Sequence, residues 1–108
     1  MSKNNLTIAI IPARMASSRF PGKPMEKIQG MPLIEHVYKR TTLVKNIDSV
    51  IVATCDEEIY KHITNIGGIA VMTSEMHKTA SDRAAEALQI IEETENISYQ
   101  IVALIQGD

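Results

Sequence analysis

The sequence predicts an α/β protein with a Rossmann-like parallel sheet and helices on both faces. Two patterns carry this prediction. Short runs that are apolar on both faces recur along the chain, as in strands that are buried within a parallel sheet. Segments with apolar residues at helical spacing separate these runs, and such alternation implies right-handed βαβ crossovers. A chain of 108 residues fits one domain or part of one.

The first predicted strand covers residues 6–11, an apolar run rich in isoleucine. A long connection follows over residues 12–32 and contains all four prolines of the chain. A connection of this length within a compact domain is usually functional. The first helix is predicted to open at residues 31–32, because proline suits the first helical turn, and its apolar positions extend to Leu43 and Val44.

The second strand is predicted over residues 49–54 and a short third strand over residues 69–72. Asp56 follows the second strand as a predicted N-cap of the second helix. The acids after Asp56 suit a first helical turn, so they need no metal to explain them. Apolar residues at helical spacing continue this helix to the two glycines at 67–68, which end it.

The third helix has two candidate N-caps, Thr79 and Ser81, and three glutamates close it. The fourth strand, over residues 99–105, is again nearly all apolar. Ligands of open parallel sheets bind beyond the carboxyl ends of the strands. Polar segments follow three of the predicted strands, so we expect the fold to bring them to one rim: residues 12–24, 73–83 and 106–108.

The polar segment after the first strand is a basic loop. It carries Arg14, Arg19 and Lys23 and no acidic residue, so its charges repel one another unless an anion lies among them. Ser17, Ser18 and backbone N–H groups add neutral donors. This pattern favours a site for a polyphosphate, and a solvated surface loop is the alternative.

Four further residues are candidates for the site. Asp108 suits Mg²⁺, which prefers oxygen ligands and nucleotide phosphates, or a simple turn. Asp82 is favoured in a first helical turn whatever else it does. Arg83 either recognises an anion with its planar fork or is an ordinary surface arginine. His77 is a ligand or base, or neither.

Composition excludes several classes of protein. The net charge of −2 argues against nucleic-acid binding, which usually requires a basic domain. The single cysteine, Cys55, allows no internal disulfide and favours a reducing compartment. No apolar run approaches a membrane span, and we expect no signal peptide. The chain lacks a Walker-type phosphate loop, a dinucleotide-binding glycine motif and a zinc ligand set.

Residues 10–24 resemble the nucleotide-binding signature of the nucleotidyltransferases that activate acidic sugars with CTP. The resemblance is to the family of 3-deoxy-manno-octulosonate (Kdo) cytidylyltransferases, the CMP-Kdo synthetases. It continues in order through residues 30–38, 52–54, 67–68 and 72–73. It then extends through His77, Asp82 and Arg83 to residues 106–108. It therefore covers nearly the whole chain, which makes it far more specific than a single motif.

The resemblance implies a fold of the nucleotide-diphospho-sugar transferase type and a cytoplasmic homodimer that uses Mg²⁺. It implies transfer of CMP from CTP to Kdo with release of pyrophosphate, for lipopolysaccharide precursor synthesis. Family members are more than twice as long, so residues 1–108 would be the nucleotide-binding, N-terminal part of a single larger domain. A second metal carboxylate and more of the sugar site would lie beyond it.

The resemblance also assigns roles to residues by position. Arg14 and Lys23 would be catalytic, stabilising charge on the triphosphate as the sugar hydroxyl attacks the α-phosphorus. Asp108 would hold Mg²⁺. The residues that would line the nucleotide and substrate pocket with them are Pro12, Ala13, Ser17, Ser18, Arg19, Thr73, Ser74, Asp82, Arg83 and Gln106.

One departure from the family leaves the function partly open. Kdo-specific members usually carry His-x-Ser-Gly-Thr-Asp/Glu-Arg, whereas residues 77–83 here are His-Lys-Thr-Ala-Ser-Asp-Arg. Loss of that glycine reshapes the loop, so a related keto-sugar acid such as an amino analogue of Kdo is an alternative substrate. The residues also allow cytidylyltransfer to another acidic sugar, or a non-catalytic nucleotide-binding or assembly module.

Overall fold

The computed structural model describes residues 6–16 and 21–106. No helix of the described part is both long enough and apolar enough to cross a membrane. The strands are β1 (Thr7–Pro12), β2 (Lys27–Ile28), β3 (Met31–Pro32), β4 (Ser49–Thr54), β5 (Ala70–Met72) and β6 (Ile101–Leu104). The helices are a 3₁₀ turn (Lys23–Met25), α1 (Leu33–Thr42), α2 (Glu57–Asn65) and α3 (Ala80–Glu95).

Four strands form one parallel sheet in the order β5-β4-β1-β6. Ile10 of β1 lies beside Ile51 of β4 on one side and Leu104 of β6 on the other. The chain moves outward from β1 to β4 and β5, and then returns to the opposite side of β1 as β6. The strand order therefore reverses between β1 and β6, where open α/β sheets form a crevice beyond their carboxyl ends.

The two faces of the sheet are covered by different helices. Because side chains alternate along a strand, Ile8 and Ile10 point to the face that packs against α3. Ala9 and Ile11 point to the other face, which packs against α1 and α2. The prediction of an α/β parallel sheet with helices on both faces is confirmed.

The long connection contains structure that the sequence did not predict. Strands β2 and β3 pair as a short antiparallel hairpin, so Met31 and Pro32 are extended and α1 begins only at Leu33. The helix ends at Thr42, before the apolar residues predicted to continue it. The prediction that α1 opens at residues 31–32 is therefore wrong, because pairing with β2 holds those residues out of the helix.

The caps of α2 and α3 differ from each other. The Thr79 hydroxyl oxygen accepts the N–H of Asp82 at 3.0 Å, so Thr79 is the N-cap of α3, one of the two predicted. Asp56 occupies the N-cap position of α2, but its side chain makes no capping hydrogen bond. The predicted N-cap position of Asp56 is therefore confirmed. Its carboxylate accepts the N–H of Met15 from a distant loop and does not cap the helix.

Candidate functional site

A cleft of about 150 Å³ opens at the carboxyl ends of β1 and β6, beside the beginning of α3. The three segments predicted to meet at one rim all contribute described residues to it. The lining residues are Pro12, Ala13, Arg14, Pro24, His77, Lys78, Thr79, Ala80, Arg83 and Gln106. Of the predicted site residues, the structure thus brings together Pro12, Ala13, Arg14, Arg83 and Gln106.

Strand β1 delivers its end directly into this cleft. The N–H of Ala13 donates to the carbonyl of Ala53 at 2.9 Å, one residue beyond β1. Ala13 is itself buried, so the backbone remains fixed until Arg14, which is half-buried and lines the cleft. On the neighbouring strand, the N–H of Ile105 donates to the carbonyl of Ile10 at 3.0 Å. Gln106 is therefore the first residue beyond this bonded end of the sheet.

A backbone hydrogen bond joins Met15 and Gly22 of the basic loop. The N–H of Gly22 donates to the carbonyl of Met15 at 2.7 Å. Gly22 has φ of +78°, a conformation that a glycine adopts without steric cost. Lys23 then starts the 3₁₀ turn and is half-buried. The cleft is lined by its neighbour Pro24 and not by Lys23 itself.

Arg83 is buried, with 3% of its surface exposed, and is therefore not an ordinary surface arginine. Its Nη1 donates to the Thr73 hydroxyl at 2.6 Å and to the carbonyl of Ser74 at 3.1 Å. Among the described residues no carboxylate lies within ion-pair distance of this guanidinium. A buried cation held by neutral oxygens at a cleft wall favours an anionic ligand.

Thr73 and Ser74 bind the side chain of Arg83 and do not line the cleft themselves. Thr73 is buried and Ser74 is exposed, and neither lines the cleft. Their oxygens orient the guanidinium through the two bonds described above. Asp82 also lies outside the lining. It is exposed in the first turn of α3, where the helix dipole favours its charge.

Glu86 contacts His77 of the cleft lining, and the sequence motifs did not indicate this role. Its Oε1 accepts from the Nε2 of His77 at 2.6 Å and from the N–H of Ser74 at 2.9 Å. The Ser74 amide, and then His77, lower the pKa of Glu86 below its usual value. Its position three residues after Arg83 on a predicted helix, and hence on the same face, was the available signal. His77 lines the cleft with a fixed ring.

Four predicted site residues, Ser17, Ser18, Arg19 and Asp108, lie outside the described residues. Within the described ranges no group of three or more His, Cys, Asp or Glu side chains is placed to hold a metal ion. Mg²⁺ bound by Asp108 stays a prediction.

A reversal of strand order next to a cleft with cationic walls places the chain among the doubly wound α/β proteins, a class whose ligands bind at the sheet edge. Within that class the chain belongs to the cytidylyltransferase family, whose family model matches residues 8–108. The family resemblance of the sequence motifs is therefore confirmed.

Particular relatives are similar over almost the whole chain. A 3-deoxy-manno-octulosonate cytidylyltransferase from Thermodesulfovibrio yellowstonii is 45% identical over 105 residues, covering 95% of this chain and 41% of the relative. An 8-amino-3,8-dideoxy-manno-octulosonate cytidylyltransferase from a Shewanella species is 43% identical over 101 residues, covering 94% of this chain and 40% of the relative.

A solved structure is also similar over almost the whole chain. A CMP:2-keto-3-deoxy-manno-octonic acid synthetase complexed with CTP matches with a TM-score of 0.81 and 36% identity, covering 96% of this chain and 41% of that chain. The chain thus spans about two fifths of the length of the proteins it matches.

Proposed function

We propose that the full-length protein is a CTP-dependent cytidylyltransferase that transfers CMP to a keto-sugar acid and releases pyrophosphate. The observation that carries this proposal is the cleft at the strand-order reversal, whose walls include Arg14 and the buried Arg83. CTP carries several negative charges, and a pair of cations at a sheet edge is suited to hold them.

The chemistry assigned to the described residues is positioning and electrostatics. Attack of a sugar hydroxyl on the α-phosphorus builds charge on the transferring phosphoryl group and the leaving pyrophosphate. Cations that are already fixed stabilise this charge without reorganising during the reaction. We assign this role to Arg14 and Lys23, and recognition of an anionic group to Arg83. Gln106, beyond β6, is assigned to the nucleotide and sugar pocket.

The substrate is Kdo or its 8-amino analogue. The relatives include an enzyme named for each of these sugars at nearly equal identity. The loop that differs from the Kdo-specific pattern forms one wall of the cleft, through His77, Lys78, Thr79 and Ala80. A difference at this wall acts on whatever lies in the cleft, so both sugars belong in the test.

Requirement for Mg²⁺, dimerisation of the full-length protein and a cytoplasmic location belong to the same proposal. They rest on the family resemblance, together with the preference of Mg²⁺ for phosphate and carboxylate oxygens. Titration of Mg²⁺ in the activity assay and sedimentation of the full-length protein test the first two.

The experiment is a pyrophosphate-release assay on the full-length protein with CTP and each sugar acid. We expect release with CTP and one of the two sugars, and a larger rise in Tm with CTP than with ATP or GTP by linkage. Lys23→Ala and Arg14→Ala should each lower kcat/KM on the order of 10²-fold. Lys45→Ala, an exposed lysine outside the cleft lining, is the control.

Two results would contradict the proposal. CTP binding without pyrophosphate release for any sugar acid would indicate a nucleotide-binding module that does not catalyse transfer. Equal Tm shifts for CTP, ATP and GTP would remove the preference for cytidine.

A further inference from the structure

The carboxylate of Asp56 holds the backbone at the start of the basic loop. Its Oδ2 accepts the N–H of Met15 at 2.8 Å, across 41 residues of sequence. Met15 directly follows Arg14, so this bond fixes the chain where the first cation leaves the sheet. We propose that Asp56 is a positioning residue, which sets the backbone from which Arg14 and Lys23 reach a phosphate ligand.

Asp56 is itself fixed from behind. Its own N–H donates to the hydroxyl of Thr54 at 3.0 Å, and Thr54 is fully buried at the end of β4. Asp56 is half-buried, so its bond is partly shielded from water. A hydrogen bond to a charged acceptor is stronger than one between neutral groups. Asp56 thus links the backbone of Met15 to the buried end of β4.

Met15 also bonds to Gly22, the residue just before Lys23. The N–H of Met15 donates to Asp56, and the carbonyl oxygen of Met15 accepts the N–H of Gly22. Gly22 directly precedes Lys23, and its carbonyl accepts the N–H of Met25 at 3.1 Å to close the 3₁₀ turn. Met15 and Gly22 are therefore bonded to each other, and Asp56 holds Met15. Arg14 directly precedes Met15, and Lys23 directly follows Gly22.

Positioning and simple charge predict opposite effects when Asp56 is removed. If the carboxylate acted only through its charge, its loss would make the loop more positive and strengthen binding of an anion. If it acts by holding the backbone, its loss lets the loop relax, and ordering it again weakens binding. Asparagine separates the two, because its amide oxygen accepts the same N–H without the charge.

The chain contains a matched control at the other end of the same strand. Asp48 Oδ2 accepts the N–H of Thr7 at 2.8 Å, again across 41 residues. This bond ties the amino end of β1 to the segment before β4, away from the cleft. Asp48→Ala therefore removes a bond of the same kind and length without touching the basic loop.

The experiment compares CTP binding by calorimetry for Asp56→Ala, Asp56→Asn and Asp48→Ala in the full-length protein. The use of CTP as the probe rests on the proposed function. We expect Asp56→Ala to raise the Kd for CTP about tenfold, about 1.4 kcal/mol, and to raise KM for CTP more than KM for the sugar. Asp56→Asn should restore the Kd to within about threefold, and Asp48→Ala should leave it unchanged while lowering Tm.

Unchanged or tighter CTP binding by Asp56→Ala, or an equal loss in Asp48→Ala, would overturn the positioning role. Amide hydrogen exchange at Met15 tests the same bond without any ligand. It should accelerate at least about tenfold in Asp56→Ala and stay slow in Asp56→Asn. If the unmodified protein fails to bind CTP, the proposed function fails, and exchange at Met15 still decides whether Asp56 holds the loop.

Discussion

Arg83 Nη1 lies 2.6 Å from the hydroxyl oxygen of Thr73, and this bond ties the first turn of α3 to the end of β5. The guanidinium is buried and lines the cleft, and its second acceptor is the carbonyl of Ser74. The contact thus joins a cation of the proposed substrate site to two oxygens of a neighbouring loop. Both bonds come from Nη1. A guanidinium carries five N–H donors in a planar fork, whereas a lysine has three on one nitrogen, so a lysine would have fewer donors for an anion in the cleft.

We therefore predict that Arg83→Lys lowers kcat/KM at least about tenfold although it keeps the charge. Thr73→Val, which removes one acceptor, should cost about threefold to tenfold. Arg40→Lys, at an exposed arginine of α1, is the control and should cost no more than about twofold. Steady-state kinetics of the full-length protein measure all three, and full activity of Arg83→Lys would show that the fork is not required.

Glu86→Ala should make the segment that carries Ser74 and His77 less well held. It removes the acceptor shared by His77 and the Ser74 amide, so amide exchange at Ser74 should accelerate. We expect kcat/KM to fall about threefold to tenfold, since a displaced wall binds substrate less well. Glu93→Ala, an exposed glutamate of the same helix, is the control; an equal loss there would indicate a general effect on α3.

The pattern of strands and helices was predictable because each depends on neighbouring residues. The segment Ile8 to Ile11 is apolar on both faces, and a strand between two layers of helices buries both faces. Helix boundaries were less predictable, since Leu43 and Val44 continue the apolar spacing of α1 but lie exposed beyond it. The hairpin of β2 and β3 has two residues in each strand, too few to show any periodicity.

The site was predictable in its cations and not in the groups that position them. Arg14 was identifiable as a charge at the end of an apolar strand, and Arg83 as a charge at a helix start. The partners of these segments come from distant parts of the chain: Met15 is held by Asp56, 41 residues away. The local pattern predicts the N-cap position of Asp56 correctly, but it does not show that the carboxylate binds the distant Met15 amide rather than the helix.

The contacts of Glu35 between α1 and α2 should make stability depend on pH. Glu35 is buried, and its carboxylate lies 2.7 Å from Lys39 Nζ and 2.7 Å from His62 Nε2. The Lys39 bond, and then the His62 bond, lower the pKa of Glu35 below its usual 4.5. A lowered folded-state pKa means that this stabilisation is present above pH 4.5 and is lost as the pH falls through the folded value.

We predict that Glu35→Gln lowers the free energy of unfolding at pH 7 by about 1–2 kcal/mol, since a charged acceptor with two donors is lost. The difference from the unmodified protein should shrink as the pH falls below 4.5. Glu57→Gln breaks a similar i,i+4 pair with Lys61 in which both side chains are exposed, and it should change Tm little. Denaturant unfolding at several pH values measures both, and a difference that is constant with pH would contradict the assignment.

The outer edge of β6 should make a polypeptide of residues 1–108 associate with itself. Strand β6 is at the end of the sheet in the described part of the chain, and Ile101, Val102 and Leu104 are exposed by 50%, 43% and 44%. An edge strand with unpaired backbone groups and apolar side chains is a template for pairing with another copy. Because the relatives are more than twice as long as the chain, we expect a full-length protein to associate less through this edge.

Val102→Lys should therefore reduce association of this polypeptide, since a charged side chain on an edge strand opposes pairing. Leu43→Lys is the matched control: it places the same charge at an apolar residue that is 80% exposed but lies at the end of α1, off the sheet. Light scattering and sedimentation at increasing concentration should show larger species for the unmodified polypeptide and for Leu43→Lys, and smaller ones for Val102→Lys. An equal improvement from both substitutions would mean that added charge alone is responsible, and a monodisperse unmodified polypeptide would mean that the edge of β6 does not drive association.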